Sequence, residues 1–324
     1  MVELVHSFEQ DAVEMRAAYC EALIEAAQAD ERVFALDCDL SSSVGTAPFI
    51  KRFPERHLNC GIQEANACGL AAGLSRRGFI PFLHTFAVFA SRRIYDQLYI
   101  SCAYAGLTVK LVGADPGVTA AVNGGTHMAL EDAGILRVIP GVRIVEPSDT
   151  VMMRALVRQI AASEGVDYLR IARKQGVRLY RDGSQFEIGR AALLREGGDV
   201  TLIASGIMVH QAFEAARQLH DEGIEARVLD MFTLKPLDRE RVIESARKTG
   251  AVVTCENHNI IGALGSAVAE VLSEHCPAPL ERVGVPDVFG EVGSQQYLME
   301  RFNLTCADIC AKARRAVARK EGRA

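Results

Sequence analysis

Short, nearly unbroken apolar runs alternate along this chain with longer segments of mixed polarity, and the alternation predicts parallel sheets. One set of runs covers residues 33–37, 79–84, 108–114, 143–147 and 167–173; a second covers 200–205, 226–230, 251–256 and 280–285. Strands buried on both faces read in this way, because neither face has to alternate with water. Residues 8–29 place Ala, Leu and Ile on one side and Glu, Gln and Asp on the other, which predicts an amphipathic helix. Further helices are expected from Glu64, from Phe86 to Ala103 and from Ser148, the last capped by the pair Ser148 and Asp149. Between the two sets of runs, KQGVRLYRDGSQ breaks the periodicity with Gly, Arg and Asp. The expected fold is α/β, with two consecutive doubly wound, mostly parallel sheet domains over residues 1–182 and 183–324.

At 324 residues and 49% hydrophobic, the chain can bury two cores of ordinary size. Its 36 Lys and Arg stand against 41 Asp and Glu for a net charge of −5. No long run of either sign occurs, so neither a nucleic-acid footprint nor a polybasic membrane anchor is visible. A small molecule or another protein is the expected partner. The start MVELVHSFEQ has no basic segment leading into an apolar one, and no apolar run reaches the roughly 20 residues of a membrane span; a cytoplasmic location is expected. Nine cysteines, an odd number, favour free thiols over a disulfide framework. Cys306 and Cys310 lie four apart on an expected helix, yet no further His or Cys completes a metal set.

Chemistry concentrates after the strand ends, where open α/β sheets bind their ligands. DLSSSVGT follows the run at 33–37, and the long Gly-rich loop DPGVTAAVNGGTHMALED follows the run at 108–114; loops of that length are seldom mere connectors. From Gly61 to Phe89, GIQEANACGLAAGLSRRGFIPFLHTFAVF puts Glu64 in the first turn of a helix and two phenylalanines one turn apart just beyond a strand. Taken singly, an acid in a first turn is favoured by the helix dipole, and Phe86 and Phe89 would be core residues. Taken together, they describe a pocket.

GIQE, GFIPFLHTFAVF and the GGTH of Gly124 to His127 resemble the pyrimidine-binding half of transketolases, and the resemblance covers essentially the whole chain as the C-terminal half of such an enzyme. It implies one subunit of a split transketolase. Such a subunit acts only with its partner, in a heterotetramer, using thiamine diphosphate and Mg2+ to move a two-carbon ketol unit from a ketose (phosphate) to an aldose. The family places a glutamate like Glu64 on the aminopyrimidine, favouring the imino tautomer that takes the thiazolium proton. That role asks for a carboxyl among small apolar neighbours, here Ala65, Ala67, Ala71 and Ala72. Phe86 and Phe89 would flank the ring. Arg92 stands where many transketolases carry a third aromatic, with Tyr95 of IYDQ as the alternative supplier.

The same resemblance assigns His127 to catalysis and the substrate hydroxyls, since a neutral imidazole both donates and accepts. It assigns Arg16, Ser43 and Arg173 to the sugar phosphate, for which guanidinium forks are suited. Three positions depart from the family: Asn123 replaces an Asp beside the substrate, Met128 replaces a Gln, and Asp115 takes the place of a phosphate-contacting His, where a carboxylate would repel the anion. The chain has GGD at residues 197–199 but no GDG, so the ligands for Mg2+ and the diphosphate are expected on an N-terminal partner subunit. Two other readings share the architecture: the β subunit of a 2-oxo-acid dehydrogenase, and a catalytically silent regulatory homologue.

Overall fold

The structure, a computed structural model, describes residues 2–322. Strands β1 (Val33–Asp37), β2 (His57–Asn59), β3 (Ile80–Phe86), β4 (Val109–Ala114), β5 (Arg143–Val145) and β6 (Val166–Ile171) come from the first half of the chain. β7 (Ala192–Arg195), β8 (Val200–Ala204), β9 (Ala226–Asp230), β10 (Thr233–Lys235), β11 (Val252–Asn259) and β12 (Leu280–Val285) come from the second. They form a 7-stranded sheet in the order β10-β5-β6-β4-β3-β1-β2 and a 5-stranded sheet in the order β12-β11-β8-β9-β7. All pairings are parallel except β10 on β5 and β7 on β9. The two α/β domains expected from the apolar runs are present, and β3, β4, β6, β8 and β9 are buried at every position.

The differences from expectation have local causes. Helix starts at Met15 rather than at residue 8, ending at Ala29. The segment before it runs extended, because Gln10 bridges Val177, Asp11 N donates to Gly176 O and Arg178 N donates to Glu9 O. Phe8, which fits the helical stripe by spacing, packs edge-on against Phe213 of the second domain at 4.8 Å. Strands β7 and β10 are too short to stand out as apolar runs. β10 belongs by sequence to the second half and by pairing to the first sheet, so it ties the domains together.

The helix expected from Phe86 to Ala103 is broken. Phe86 ends β3 with an extended backbone, a helix covers Ala87–Ser91, and after a turn a short Tyr95–Gln97 helix leads into a wide-turned Leu98–Tyr104 segment. The break at residues 92–94 points Arg92 and Arg93 to different partners. The helix near Ser148 spans Thr150–Ala161 with Asp149 as its cap, accepting from Met152 N. Ser148 instead donates to Asp230 of β9.

One buried charge cluster fastens the domains beneath the strand ends. Arg170 of β6, 1% exposed, donates to Asp132 from Nε (2.8 Å), to Glu146 from Nη1 (2.6 Å) and to Asn257 O of β11 from Nη2 (2.7 Å). Tyr168 adds a hydrogen bond to Asp132 at 2.6 Å. Two carboxylates facing one guanidinium in a dry interior hold only while the cation is present, since removing one partner of a buried pair costs about 3–5 kcal/mol. Arg170 therefore fixes where the second domain stands against the loops of the first.

Candidate active site

Glu64 opens the helix Glu64–Arg76, whose buried face is Glu64, Ala67, Cys68, Ala71 and Ala72. That spacing packs the small residues against the sheet and sets the carboxyl at its edge, 4% exposed. Ala65 lies on the outer face, so the apolar neighbours expected of Glu64 cover one side only. On the other, Thr85 Oγ1 donates to Oε1 at 3.3 Å, and Arg93 Nη1 straddles both oxygens at 3.1 Å each. The same guanidinium lies 3.7 Å from the centre of the Phe89 ring. An exposed ion pair is worth only about 0–1 kcal/mol, but a nearly buried carboxylate stripped of its donor costs several times that. Glu64 thus needs a donor, and Arg93, lying flat on Phe89, joins Thr85 in supplying one.

Phe86, Phe89 and His127 form one aromatic corner. The ring centre of His127 is 6.0 Å from that of Phe86 and 5.4 Å from that of Phe89, both edge-on, and the two phenyl rings are 6.3 Å apart. Glu64 at a helix start and a wall of two rings fit an aminopyrimidine: the carboxyl would suit the ring edge and the phenyls its faces. Arg92 takes no part in this. It pairs with Glu131 at 3.0 Å and reaches Thr126 O at 3.5 Å, beside His127. Tyr95 packs on Tyr99 at 6.3 Å.

Arg16, Ser43 and Arg173 do come together. Arg16 Nη1 donates to Ser43 O at 3.0 Å and Arg173 Nη1 donates to the same oxygen at 3.5 Å. Arg173 also lies over Phe86, 5.1 Å from its centre, so the arginine pair adjoins the aromatic corner. The hydroxyl of Ser43 makes none of these bonds; its carbonyl does. Asp115 is 2% exposed and is held by the Arg173 guanidinium through Nε and by Arg173 N at 3.1 Å. Burial pushes its carboxyl up, and Arg173 pulls it back. The carboxylate expected to repel an anion is thus already paired.

The loop carrying Asn123 and His127 is shaped by the second domain. Asn257 Nδ2 donates to Pro116 O at 2.9 Å, and its Oδ1 accepts from Val118 N at 2.8 Å. Gly117 packs so closely that a Cβ there would lie 2.1 Å from Asn257 Oδ1; one at Gly125 would lie 2.1 Å from Gly290 O. Leu130 O accepts from Asn259 N at 2.8 Å. Within this clamp Ala121 sits at φ 47, ψ −118, a strained conformation for a residue with a side chain. Asn123 is exposed, Met128 is buried, and Val122, Phe289 and Val292 leave 74%, 98% and 68% of their surface open around the loop.

Nothing in the sequence singles out Arg93, Thr85 or Asn257. Arg93 follows an identical residue, and only the break in the helix separates their roles. Thr85 is one of many β-branched strand residues. Asn257 lies 141 positions from the Pro116 it binds, beyond the reach of spacing arguments. A cavity of about 360 Å3 between the domains is lined by Asp115, Lys174 and His210 but by none of Glu64, Phe86, Phe89 or His127. The aromatic corner lies outside that cavity, with Glu64 and Phe86 nearly buried. Among the described residues, no group of three or more His, Cys, Asp or Glu is placed to hold a metal ion.

Comparison with known proteins gives the same outline. Residues 11–177 match the family model described as "Transketolase, pyrimidine binding domain" and residues 189–309 the one described as "Transketolase, C-terminal domain". The chain is 51% identical over 309 residues, covering 95% of it and 96% of the relative, to a 6-deoxy-6-sulfo-D-fructose transketolase subunit SqwH of Clostridium sp. (strain MSTE9). It is 35% identical to an apulose-4-phosphate transketolase subunit of Phocaeicola vulgatus (strain ATCC 8482), covering 92% of this chain and 96% of that one. A solved structure described as a split gene transketolase, inactive beta4 tetramer, superimposes with a TM-score of 0.90 at 47% identity, over 95% of this chain and 100% of the other.

Proposed function

This chain belongs to the transketolase family, and from that membership we propose that it is the pyrimidine-binding subunit of a two-subunit transketolase. It moves a two-carbon ketol unit from a ketose bearing an anionic tail to an aldose. The observation that carries the reading is the convergence of Glu64, Phe86, Phe89 and His127 at one corner, with Arg16 and Arg173 beside it. Thiamine diphosphate, when bound, supplies an acidic thiazolium carbon that serves as nucleophile and electron sink for breaking a C–C bond. Glu64 would meet the ring nitrogen of the aminopyrimidine and hold or return a proton there, an acid-base contribution of about 10²- to 10⁴-fold in typical enzymes. Phe86 and Phe89 fix the plane of the ring and keep water from the carboxyl. His127, gripped by the two phenyl edges, faces the sugar hydroxyls, and Asn123 lies on the same loop. Arg93 yields its place on Glu64 and Phe89 to the ring.

The diphosphate and its Mg2+ are assigned to a partner subunit carrying a GDG motif. The solved relative described as an inactive beta4 tetramer fits a chain that needs such a partner. The apolar rim of Val122, Phe289 and Val292 fits a surface that another chain covers. The assembly is a heterotetramer in the cytoplasm. The test is reconstitution with a GDG-bearing subunit: thiamine-dependent ketol transfer from an anion-tailed ketose is the expected result. Activity on 2-oxo acids instead, or no thiamine-dependent turnover by the pair, would overturn it.

A further inference from the structure

The charge around Ser43 is more finely balanced than an anion site made of two arginines would be alone. Arg16 Nε is committed to Glu14 at 2.7 Å, and Lys174 lies 3.7 Å from the same carboxylate. Arg173 Nε is committed to Asp115. Three cations thus face two carboxylates, which leaves one net positive charge. The outer guanidinium nitrogens of Arg16 and Arg173 remain to meet a ligand where both approach Ser43 O. The pair nearer the aromatic corner is the less exposed, at 16% for the Arg173 side chain and 3% for Asp115. Interactions there are screened less than at the Lys174 end, where the side chain is 70% exposed.

Resting on the transketolase reading above, we propose that this subunit selects ketoses with a singly charged sulfonate tail over those with a doubly charged phosphate, and that Asp115 is the discriminating residue. A sulfonate presents three acceptor oxygens and one negative charge, matching the residual single positive charge. A phosphate monoester brings a second charge above its second pKa of about 6, and with Asp115 offsetting the charge of Arg173 the cluster has no further cation to meet it. Each oxygen acceptor can be met by the same guanidinium forks in both cases, so the selection is by charge and not by shape. The substrate of the 51%-identical relative is a sulfosugar, which is consistent with this balance and independent of it.

The test uses the reconstituted pair with one aldose acceptor and two donors, 6-deoxy-6-sulfo-D-fructose and D-fructose 6-phosphate. At pH 8 the wild type is expected to favour the sulfonate by about tenfold or more in kcat/KM, through KM; each tenfold corresponds to about 1.4 kcal/mol. Lowering the pH to 5.5 protonates the phosphate once and leaves the sulfonate unchanged, so the ratio of the two should narrow. Glu14, Asp115, Lys174, His127 and the two arginines face both donors, so the comparison of the two donors isolates the charge of the tail. Asp115→Asn should shift the ratio toward the phosphate by about tenfold at pH 8, and in that variant the ratio should no longer narrow at pH 5.5. A wild type that prefers the phosphate, or a ratio indifferent to pH, overturns the proposal without any variant. So does an Asp115→Asn enzyme that loses both donors equally. Ketol transfer from either donor leaves the transketolase reading standing when the charge selection fails; no transfer from either defeats both.

Discussion

The corner proposed for the cofactor and the one proposed for the sugar adjoin across Phe86, yet they are built in opposite ways. Glu64, Thr85, Phe86, Phe89 and Arg93 all come from one stretch of 30 residues, on a helix start, a strand end and the turn beyond. Arg16 in a first helix turn, Ser43 in a short helix, Arg173 just after β6, and Asp115, Asn123 and His127 on the loop after β4 come from separate segments, and that loop is shaped by Asn257 and Gly290 of the other domain. Local structure makes the first corner rigid and self-sufficient. The second depends on domain packing, since Asn257 and Gly290 of the second domain set the posture of the loop that carries Asn123 and His127.

The largest effect should come from the self-sufficient corner. Glu64→Gln, paired with the partner subunit, should lower turnover by roughly 10²- to 10⁴-fold while the complex still assembles, as sedimentation would show. Turnover within about tenfold of wild type would reduce Glu64 to a residue favoured by the helix start.

Next comes the borrowed corner. Asn257→Leu strands Val118 N and Pro116 O in a buried interface, at roughly 1–3 kcal/mol for the lost partners. Hydrogen exchange should quicken across residues 116–128 and the acceptor KM should rise by about tenfold, with thiamine diphosphate affinity unchanged. If cofactor affinity falls in parallel, the two corners are not independent and the contrast drawn between them fails.

A smaller effect is expected at Arg93. Its guanidinium bonds both Glu64 oxygens and covers Phe89, the two contacts a pyrimidine needs, so ligand affinity is reduced by the fraction of time the seat is closed. Arg93→Ala should bind 4-amino-5-hydroxymethyl-2-methylpyrimidine about tenfold more tightly than wild type in an NMR titration. Weaker binding would show instead that Arg93 holds the ring. Asn123→Asp should do least. The side chain is exposed, so the preference between two acceptors should move by no more than about threefold; a larger shift in a competition assay would mean that the partner subunit buries it.

The contrast also explains what the sequence makes legible. The parallel strands could be read because burial on both faces leaves continuous apolar runs, whereas Glu64, Phe86 and Phe89 stood out through the family resemblance that their motifs carry. Phe8 misled by fitting a helical stripe while packing on Phe213 of the other domain. Arg92 and Arg93 could not be told apart, since a turn inside an expected helix decides which one reaches Glu64. Asp115 as a paired carboxylate, Asn257 as a clamp and β10 as a strand of the first sheet all depend on contacts between segments far apart in the chain. Residue type and spacing carry no trace of them.

The central claim is that this chain supplies the pyrimidine-recognising part of a composite cofactor site. Titration calorimetry with thiamine diphosphate and Mg2+ tests it most directly, on this chain, on a GDG-bearing subunit, on their mixture and on the mixture with Glu64→Ala. The account predicts tight binding by the mixture only, weakened by Glu64→Ala. Equally tight binding by this chain alone, or by the mixture regardless of Glu64, would contradict it.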